Sequence, residues 1–421
     1  MRVLHAVELY SPSRGGAQEV VRQISERLAC MGHDVTVATT RLPERRLGTL
    51  HGVRLEEFPV SGNAALGYRG DIASYRRFLV ESHFDVVLAY ACQQWTTDAF
   101  LEVADDVRAV KICAPCGYSG LHDERYGAYF AELPRLLAKM DATVYHSSWY
   151  QDIEFARSHA LTDLHVISNG AGEEFETVDA DAIARFRTVR GLRGALVLAV
   201  GSHTGAKGHL EAMTAFALAP TGPATLLVAG DGMPGAGCFD ECARRANRFA
   251  AALRATGKQI LVRDLPREEL VLAFQAADVF VHLSQVECSP IVLFEAAASG
   301  TPFVSTDVGN AREIATWTGA GIVVRSQQSE GRVRTAPWRA ALALADLLRD
   351  RRRRAEMSER GRQAWLERFT WEHVAQSYCA LYEQLLAQDG RGELTTTSQL
   401  LAQDGRGELT TTSQLLALGR R

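Results

Sequence analysis

Short apolar segments alternate with amphipathic segments along most of this chain. Buried parallel strands read as short continuous apolar runs, whereas Gln18–Met31 has apolar residues at helical spacing and is followed by Gly32. Strands that alternate with helices predict βαβ units around a parallel sheet. The predicted strands of the first half are Val3–Val7, Asp34–Thr39, Val86–Tyr90, Val110–Ala114 and Ala142–His146.

The same alternation starts again after residue 194, which predicts a second domain of the same α/β type. Helices are expected within this domain at Arg267–Ala276 and around Phe294–Ala298. A further helix is expected after the domain, at 371–386. The expected division is therefore a domain at 1–172, a polar linker at 173–193 and a second domain at 194–370. The predicted strands of the second domain are Ala195–Val200, Ala224–Ala229, Gln259–Val262, Asp278–Leu283, Pro302–Ser305 and Gly321–Val324.

The end of the chain repeats itself. The segment Leu385–Gln399 recurs without change at Leu400–Gln414. Two short, polar, glycine-containing copies cannot bury a core, so residues 387–421 are predicted to form a disordered tail without an assigned function.

Composition and charge restrict the class of protein. Of 421 residues, 47% are hydrophobic and 23% are charged, as in globular domains, and the net charge of −4 gives no reason to expect nucleic-acid binding. The first residues read as a buried strand and not as a signal peptide, and a run of about 18 apolar residues is absent from the sequence. We expect a cytoplasmic protein, with peripheral contact at the inner face of the cell membrane left open.

Eight cysteines are expected to be reduced thiols. Two pairs, Cys113-x-x-Cys116 and Cys238-x3-Cys242, invite comparison with zinc sites, which need four ligands at recognisable spacing. Since no pair of histidines accompanies either in the sequence, the prediction is that the chain holds no metal.

Three loops after predicted strands carry residues that suit an anionic ligand. Ser13–Glu19 contains two glycines before a helix, Gly201–Gly208 contains Lys207, and Ser284–Glu295 places Glu287 eight residues before Glu295. Parallel sheets bind ligands at the carboxyl ends of their strands, where helix N-termini favour phosphates and carboxylates accept hydrogen bonds from hydroxyls. A plain turn, a surface lysine and a polar loop are the alternatives for these loops taken singly.

The stretch Val286–Ile314 contains Glu-x7-Glu, then Glu-Ala-Ala-Ala-Ser-Gly-Thr-Pro-Phe-Val and Asp-Val-Gly-Asn-Ala-Arg-Glu-Ile. In these motifs it resembles the family 4 retaining glycosyltransferases of GT-B fold. The resemblance covers about residues 1–386 and implies two facing Rossmann-like, doubly wound domains, with the helix 371–386 crossing back to the first. Further matches in family order are Gly15-Gly16, Asn169-Gly170, Lys207-Gly208 and Gly230-Asp231-Gly232.

The resemblance also implies roles for single residues. Lys207 would bind the donor diphosphate, Glu287 would hold hydroxyls of the donor sugar near the reacting carbon, and Glu295 would hold the ribose. These roles make Glu287 and Lys207 the candidate catalytic residues. The other implied donor-side residues are Gly16, Gly201, Ser202, Asp264, Leu265, Pro290, Ile291 and Val292.

Two positions depart from the family pattern. Ser202 stands where an arginine is usual, with His203 as a candidate substitute, and Cys116 stands where many members have a histidine. His122 is the nearest histidine in sequence that could replace the latter. Gly15, Cys116 and His122 are the candidate residues on the acceptor side.

The function that the resemblance implies is transfer of a sugar, with retention, from a nucleoside-diphosphate sugar to a glycan, lipid-linked or small-molecule acceptor. The nucleotide sugar is a co-substrate, and no metal or other cofactor is expected, since the usual scheme of the family requires none. Two alternatives stay open. One is a non-catalytic binding subunit of the same fold, and the other is a nucleotide-sugar epimerase.

Overall fold

The computed structural model describes residues 1–13, 15–176, 179–230, 238–329 and 331–390. The predicted tail from 391 onwards, Arg14 and Asp231-Gly232 of the glycine motif lie outside the described residues. The strands of the first domain are β1 Arg2–Ala6, β2 Asp34–Thr40, β3 Thr49–Leu50, β4 Val53–Phe58, β5 Val60–Asn63, β6 Gly67–Gly70, β7 Val86–Tyr90, β8 Val110–Ala114, β9 Ala142–Tyr145 and β10 Leu164–Val166. Its helices are α1 Gly16–Cys30, α2 Ile72–Glu81, α3 Trp95–Val103, α4 Gly127–Leu137 and α5 Gln151–Ser158.

The main sheet of the first domain has the order β10-β9-β8-β7-β1-β2-β4-β3. Its pairs are parallel except for β3, which is antiparallel to β4. Each of the five strands predicted from apolar runs is present within a residue or two, because both faces of this sheet are covered. The hairpin β5–β6, which the sequence did not predict, forms a separate two-stranded sheet; β5 is buried only at its two ends, and β6 has no buried residue.

The second domain repeats this architecture. Its elements in chain order are α6 Ala180–Val189, β11 Ala195–Val200, α7 His209–Leu218, β12 Ala224–Ala229, α8 Phe239–Arg254, β13 Lys258–Arg263, α9 Arg267–Ala276, β14 Val279–His282, α10 Ile291–Ala298, β15 Phe303–Ser305, α11 Ala311–Thr318, β16 Gly321–Val323, β17 Gln327–Ser329, β18 Arg332–Arg334, α12 Pro337–Arg349 and α13 Arg351–Ala364. The short strands β17 and β18 form an antiparallel hairpin.

The sheet of the second domain is parallel, with the order β13-β12-β11-β14-β15-β16. Numbered within the domain this is 3-2-1-4-5-6, the order of a Rossmann fold. The direction of strand succession reverses between β11 and β14, so the loops that follow these two strands diverge and leave a crevice between them. The equivalent reversal in the first domain lies between β1 and β7.

The stretch predicted as a polar linker contains more structure than expected. Helix α6 occupies Ala180–Val189 and packs against α9, so it belongs to the body of the second domain. Its start is capped by Asp179, whose carboxylate accepts from the amides of Asp181 and Ala182. The apolar side of this helix is small, Phe186 being its buried residue, which is why the periodicity of the sequence did not reveal it.

The chain passes between the domains at two adjacent places. Ala171 donates its backbone N–H to Phe369 at 2.9 Å, where a π-helical turn, Trp365–Phe369, precedes the last helix. This helix, α14 Trp371–Gln388, is capped by Thr370 and returns to the first domain, as the resemblance implied. It packs on α1 and β8, and its Tyr382 hydroxyl lies 3.1 Å from Nε2 of His5 inside the first-domain core.

Among the described residues, none of the helices is both long enough and apolar enough to cross a membrane.

Candidate functional site

A cleft of about 720 Å³ lies between the two domains. Its walls are the loops after β1 in the first domain and the loops after β11, β13 and β14 in the second. The strand order explains this position, because the loops after β11 and β14 flank the reversal point of the second sheet. The sequence-predicted residues that line the cleft are Gly15, Gly16, Cys116, Gly201, Ser202, Lys207, Asp264, Leu265, Glu287, Pro290, Ile291, Val292 and Glu295.

The two candidate catalytic side chains meet in this cleft. Lys207 Nζ donates to Glu287 Oε1 at 2.8 Å, although 80 residues separate them in the sequence. His282, at the end of β14, places Nε2 3.4 Å from the same carboxylate oxygen. The side chain of Glu287 is 12% exposed and that of Lys207 is 28% exposed, so both charges are largely shielded from bulk water and both still reach the cleft.

The charge of Glu287 follows from these neighbours. Burial by itself would raise the pKa of this carboxyl group, but the Lys207 ammonium and the neighbouring His282 ring outweigh it and lower the pKa to about 2. Glu287 is therefore a carboxylate at neutral pH. Such a group accepts hydrogen bonds from hydroxyls and does not serve as a general acid.

Backbone geometry holds Lys207 in place. Gly208 has a left-handed φ of 69°, and a Cβ there would lie 1.9 Å from the carbonyl oxygen of Leu283. Only glycine lets the loop approach the end of β14 this closely. A Cβ on Gly201 would lie 3.2 Å from the Lys207 side chain. Because glycine has no Cβ, the Lys207 side chain has room to extend along the loop.

Glu295 has the partner that its burial requires. This residue, 4% exposed on α10, accepts from Arg267 Nη1 at 2.7 Å. Burial raises the pKa of Glu295 and Arg267 opposes this rise. Arg267 also contacts Glu174 at 2.8 Å and stacks on Phe175, with its guanidinium carbon 4.8 Å from the ring centre. Arg267 is a cleft residue that the sequence placed only at a helix start, and the apolar neighbours of Glu295 were the signal that such a cation was needed.

Two helix N-termini face each other across the cleft. Helix α10 begins at Ile291 after Pro290, and α1 begins at Gly16 on the opposite wall. A Cβ on Gly16 would lie 3.9 Å from Ile291 Cδ1, so the two helix starts are close together. The first turn of each helix presents backbone N–H groups and a positive dipole end, which is the environment that a diphosphate requires.

Cys116, in the place of the family's usual histidine, lies at the floor of the cleft with a left-handed φ of 58°. A hydrogen bond from the Cys288 thiol, aided by the His146 ring, lowers the pKa of the Cys116 thiol well below its usual value, although burial opposes this. The His146 ring is in turn held by the Tyr90 hydroxyl, 2.8 Å from Nε2. The imidazole of His146, which follows strand β9, therefore lies next to Cys116. The sequence analysis did not name His146 as a candidate site residue.

The two histidines considered as substitutes are not cleft residues. His122 lies beside Gly331, where a Cβ would come within 3.0 Å of its ring, and is absent from the cleft lining. His203 follows Ser202 but is fully buried and faces Cys238, with Nδ1 3.7 Å from Sγ. Its side chain therefore does not replace the arginine that the family usually has.

The expectation that no histidine pair accompanies Cys238 and Cys242 is wrong. The fold brings His203 and His209 to these two cysteines, with one ligand atom of each of the four residues within 4.8 Å of the others. Spacing along the chain did not show this, because β11 and β12 are parallel neighbours and the segments after them meet at one sheet edge.

Sequence reasoning also missed the residues that join the domains beside the cleft. Glu313 is 8% exposed and accepts from the Ser147 hydroxyl at 2.5 Å and the Ser148 amide at 3.0 Å. Asn310 donates to the carbonyl oxygen of His146 at 2.7 Å. Both Asn310 and Glu313 belong to the motif that carried the family resemblance, and that was the available signal.

Comparisons with known proteins agree with this geometry. Residues 182–364 match the family model of glycosyl transferases group 1. D-inositol 3-phosphate glycosyltransferase from Corynebacterium urealyticum is 31% identical over 39% of this chain, and the match spans 35% of that protein's length. GDP-mannose:cellobiosyl-diphosphopolyprenol alpha-mannosyltransferase from Xanthomonas oryzae pv. oryzae is 27% identical, with 92% of this chain and 97% of the relative covered.

The fold has counterparts among solved structures. Sucrose-phosphate synthase from Thermosynechococcus elongatus superposes with a TM-score of 0.74 over 92% of this chain and 100% of that chain, at 19% identity. This fold consists of two mainly parallel sheets with a C-terminal helix that returns to the first domain, and the family model matches its second domain. The chain has the GT-B fold, and its residues 182–364 match the group 1 glycosyl transferases.

Proposed function

We propose that this protein transfers a sugar from a nucleoside-diphosphate sugar to an acceptor, with retention of configuration at the anomeric carbon. The observation that carries the proposal is the Lys207–Glu287 pair, 2.8 Å apart, which faces the N-termini of α1 and α10 in one interdomain cleft. A cation and helix amides suit a diphosphate, and the carboxylate beside them suits the hydroxyls of the attached sugar.

The donor would lie along the second-domain wall of the cleft. Lys207 would neutralise the diphosphate together with the amides of Ile291 and Val292. Glu295, held by Arg267, would use its remaining acceptor capacity for the ribose hydroxyls, while Asp264 and the loop around it would border the base. These contacts would place the anomeric carbon next to Glu287 and opposite Gly16.

The chemistry needs a stabilised leaving group more than a protein nucleophile. Three carboxylates of the cleft, Glu19, Glu287 and Glu295, could be considered as nucleophiles. Each is already paired with a cation, which is Arg22, Lys207 and Arg267, respectively. In the step that we propose, the bond from the anomeric carbon to the diphosphate oxygen breaks and the acceptor oxygen bonds to that carbon from the same face. The acceptor proton passes to the departing diphosphate oxygen, and no metal takes part in the transfer. Lys207 stabilises the charge that develops on the leaving group.

The acceptor would enter from the first domain, past Gly15 and Cys116. We propose a glycan, lipid-linked or small-molecule acceptor, since one relative is named for D-inositol 3-phosphate and another for a cellobiosyl-diphosphopolyprenol. The full-length coverage of the latter relative favours the lipid-linked class. With such an acceptor the protein would work at the inner face of the cell membrane as a peripheral protein.

The experiment has two stages. Thermal shift and calorimetry first measure binding of GDP-mannose and of a panel of UDP- and GDP-sugars to the wild type, to Lys207→Ala and to the control Lys111→Ala. Lys111 is also a lysine paired with a carboxylate, Asp141 at 3.6 Å, but it lies outside the cleft lining. The preferred donor is then incubated with membrane extracts or defined acceptors, and mass spectrometry follows the glycosylated product.

We expect a donor to bind the wild type and Lys111→Ala alike, and Lys207→Ala at least tenfold more weakly. A tenfold loss corresponds to about 1.4 kcal/mol, which is within the range for one charged hydrogen bond to phosphate. Equal binding by the two lysine variants would contradict the assignment of Lys207. Conversion of the donor sugar without an acceptor would identify an epimerase, and tight donor binding without transfer or conversion would identify a non-catalytic subunit.

A further inference from the structure

Four side chains that could bind a metal converge beside the loop 201–208 of the second domain, which contains Lys207. His203 lies in the loop after β11, His209 is the first residue of α7, and Cys238 and Cys242 lie at the start of α8. The two cysteines are one helical turn apart, so their thiols point to the same side. A backbone hydrogen bond of 2.7 Å, from the Cys238 amide to the His203 carbonyl, fixes the loop against the helix start.

The distances match a tetrahedral zinc site. Zinc–sulfur bonds of about 2.3 Å and zinc–nitrogen bonds of about 2.0 Å put two sulfur ligands roughly 3.8 Å apart and a sulfur and a nitrogen ligand roughly 3.5 Å apart. In the structure the thiols of Cys238 and Cys242 are 3.6 Å apart, and Cys238 Sγ is 3.7 Å from Nδ1 of His203. The ligand atoms of all four residues, His209 included, lie within 4.8 Å of one another.

Burial adds a second, independent observation. His203, His209 and Cys242 are 0%, 5% and 6% exposed, respectively. Nε2 of His209 is buried and has no hydrogen-bond partner among the described residues. A buried imidazole nitrogen without a partner is unfavourable, and coordination to a metal removes that penalty.

We propose that His203, His209, Cys238 and Cys242 bind a structural zinc ion. Two thiolates and two imidazoles in a closed tetrahedral set are typical of zinc, and four protein ligands leave no open position for catalysis. The ion ties the loop 201–208 to the first turn of α8, and Lys207 belongs to that loop. A disulfide between Cys238 and Cys242 would use only half of this set and would leave His209 Nε2 without a partner.

The test measures metal content and needs no enzymatic activity. The full-length chain, without a histidine tag, is purified from zinc-containing medium, dialysed against a weak chelator and analysed for bound metals by mass spectrometry. Cys242→Ser and His209→Ala remove one ligand each. The matched controls are Cys30→Ser and His83→Ala, which change exposed residues of the first domain. Circular dichroism establishes that each variant is folded.

We expect about one zinc per chain in the wild type and in both controls, and less than about 0.2 in the two ligand variants. A strong chelator should lower the Tm of the wild type by several degrees and leave that of Cys242→Ser unchanged. Cobalt added to the metal-free wild type should give the intense visible absorption of a tetrahedral thiolate complex.

Three results would overturn the proposal. The first is a wild type that retains no zinc even after dialysis with zinc under reducing conditions. The second is equal zinc content in the wild type and in the folded ligand variants. The third is an intact mass and peptide map that show a Cys238–Cys242 disulfide in protein freshly isolated from cells.

Discussion

Replacing Lys207 with alanine should destabilise the protein in the absence of any ligand. Lys207 is the cation that balances the charge of Glu287, whose side chain is 12% exposed. Removing the ammonium leaves a shielded carboxylate with His282 as its remaining close partner. Breaking a shielded pair on one side is more harmful than removing both partners, because the remaining charge has lost its compensation.

The pKa of Glu287 provides the magnitude. Its fall from the ordinary 4.5 to about 2 corresponds to roughly 3 kcal/mol, at about 1.4 kcal/mol for each pH unit. Since His282 stays in place, we expect Lys207→Ala to lose about 2 kcal/mol at pH 7, which is a fall in Tm of about 4–8 °C for a domain of this size. A carboxyl group with a lowered pKa stabilises the fold above pH 4.5, and this stabilisation is lost as the pH falls towards 2. The difference between wild type and variant should therefore shrink below pH 4.5.

The assay is thermal and urea unfolding of four proteins between pH 3.5 and pH 8. They are the wild type, Lys207→Ala, the double variant Lys207→Ala with Glu287→Gln, and Lys111→Ala. The neutral glutamine removes the uncompensated charge, so the double variant should regain most of the lost stability. Lys111→Ala removes a lysine whose carboxylate partner, Asp141, is 45% exposed, and it should change stability by less than about 0.5 kcal/mol. A double variant no more stable than Lys207→Ala would refute the reasoning, as would a loss that does not depend on pH.

Three further results are expected. Glu295→Ala should weaken nucleotide-sugar binding about tenfold in calorimetry through the loss of a charged acceptor for the ribose, and unchanged affinity would exclude that contact. Gly208→Ala should lower the free energy of unfolding by about 3 kcal/mol or more, whereas Gly205→Ala, which has φ 81° and no atom within 4 Å of the added Cβ, should lose only about 1 kcal/mol. Cys116 should react with iodoacetamide at pH 7 faster than Cys379, whose pKa burial raises to about 11, and peptide mapping that finds equal rates would contradict the lowered pKa of Cys116.

Much of the fold was predictable because parallel sheets covered on both faces produce continuous apolar runs. The strands of both sheet centres were found in this way, whereas the return of the last helix to the first domain was expected from the family resemblance. Helix α6 and the hairpin β5–β6 were missed because each buries few residues. The apolar residues in their sequences therefore recur too seldom to show a helix or strand period. The candidate donor-side glutamates were identified from a local motif, since Glu287 and Glu295 lie on one loop and the helix that follows it.

The sequence by itself determined the two α/β domains, the glycine loops at strand ends and the spacing of Glu287 and Glu295, because these depend on residues close together in the chain. Only the tertiary structure decided which side chains meet across large separations. It joined Lys207 to Glu287, excluded His122 from the cleft and brought His203 to Cys238. The physical reason is the strand order, since neighbours in a doubly wound sheet come from distant parts of the chain, and ligands bind where those strands end.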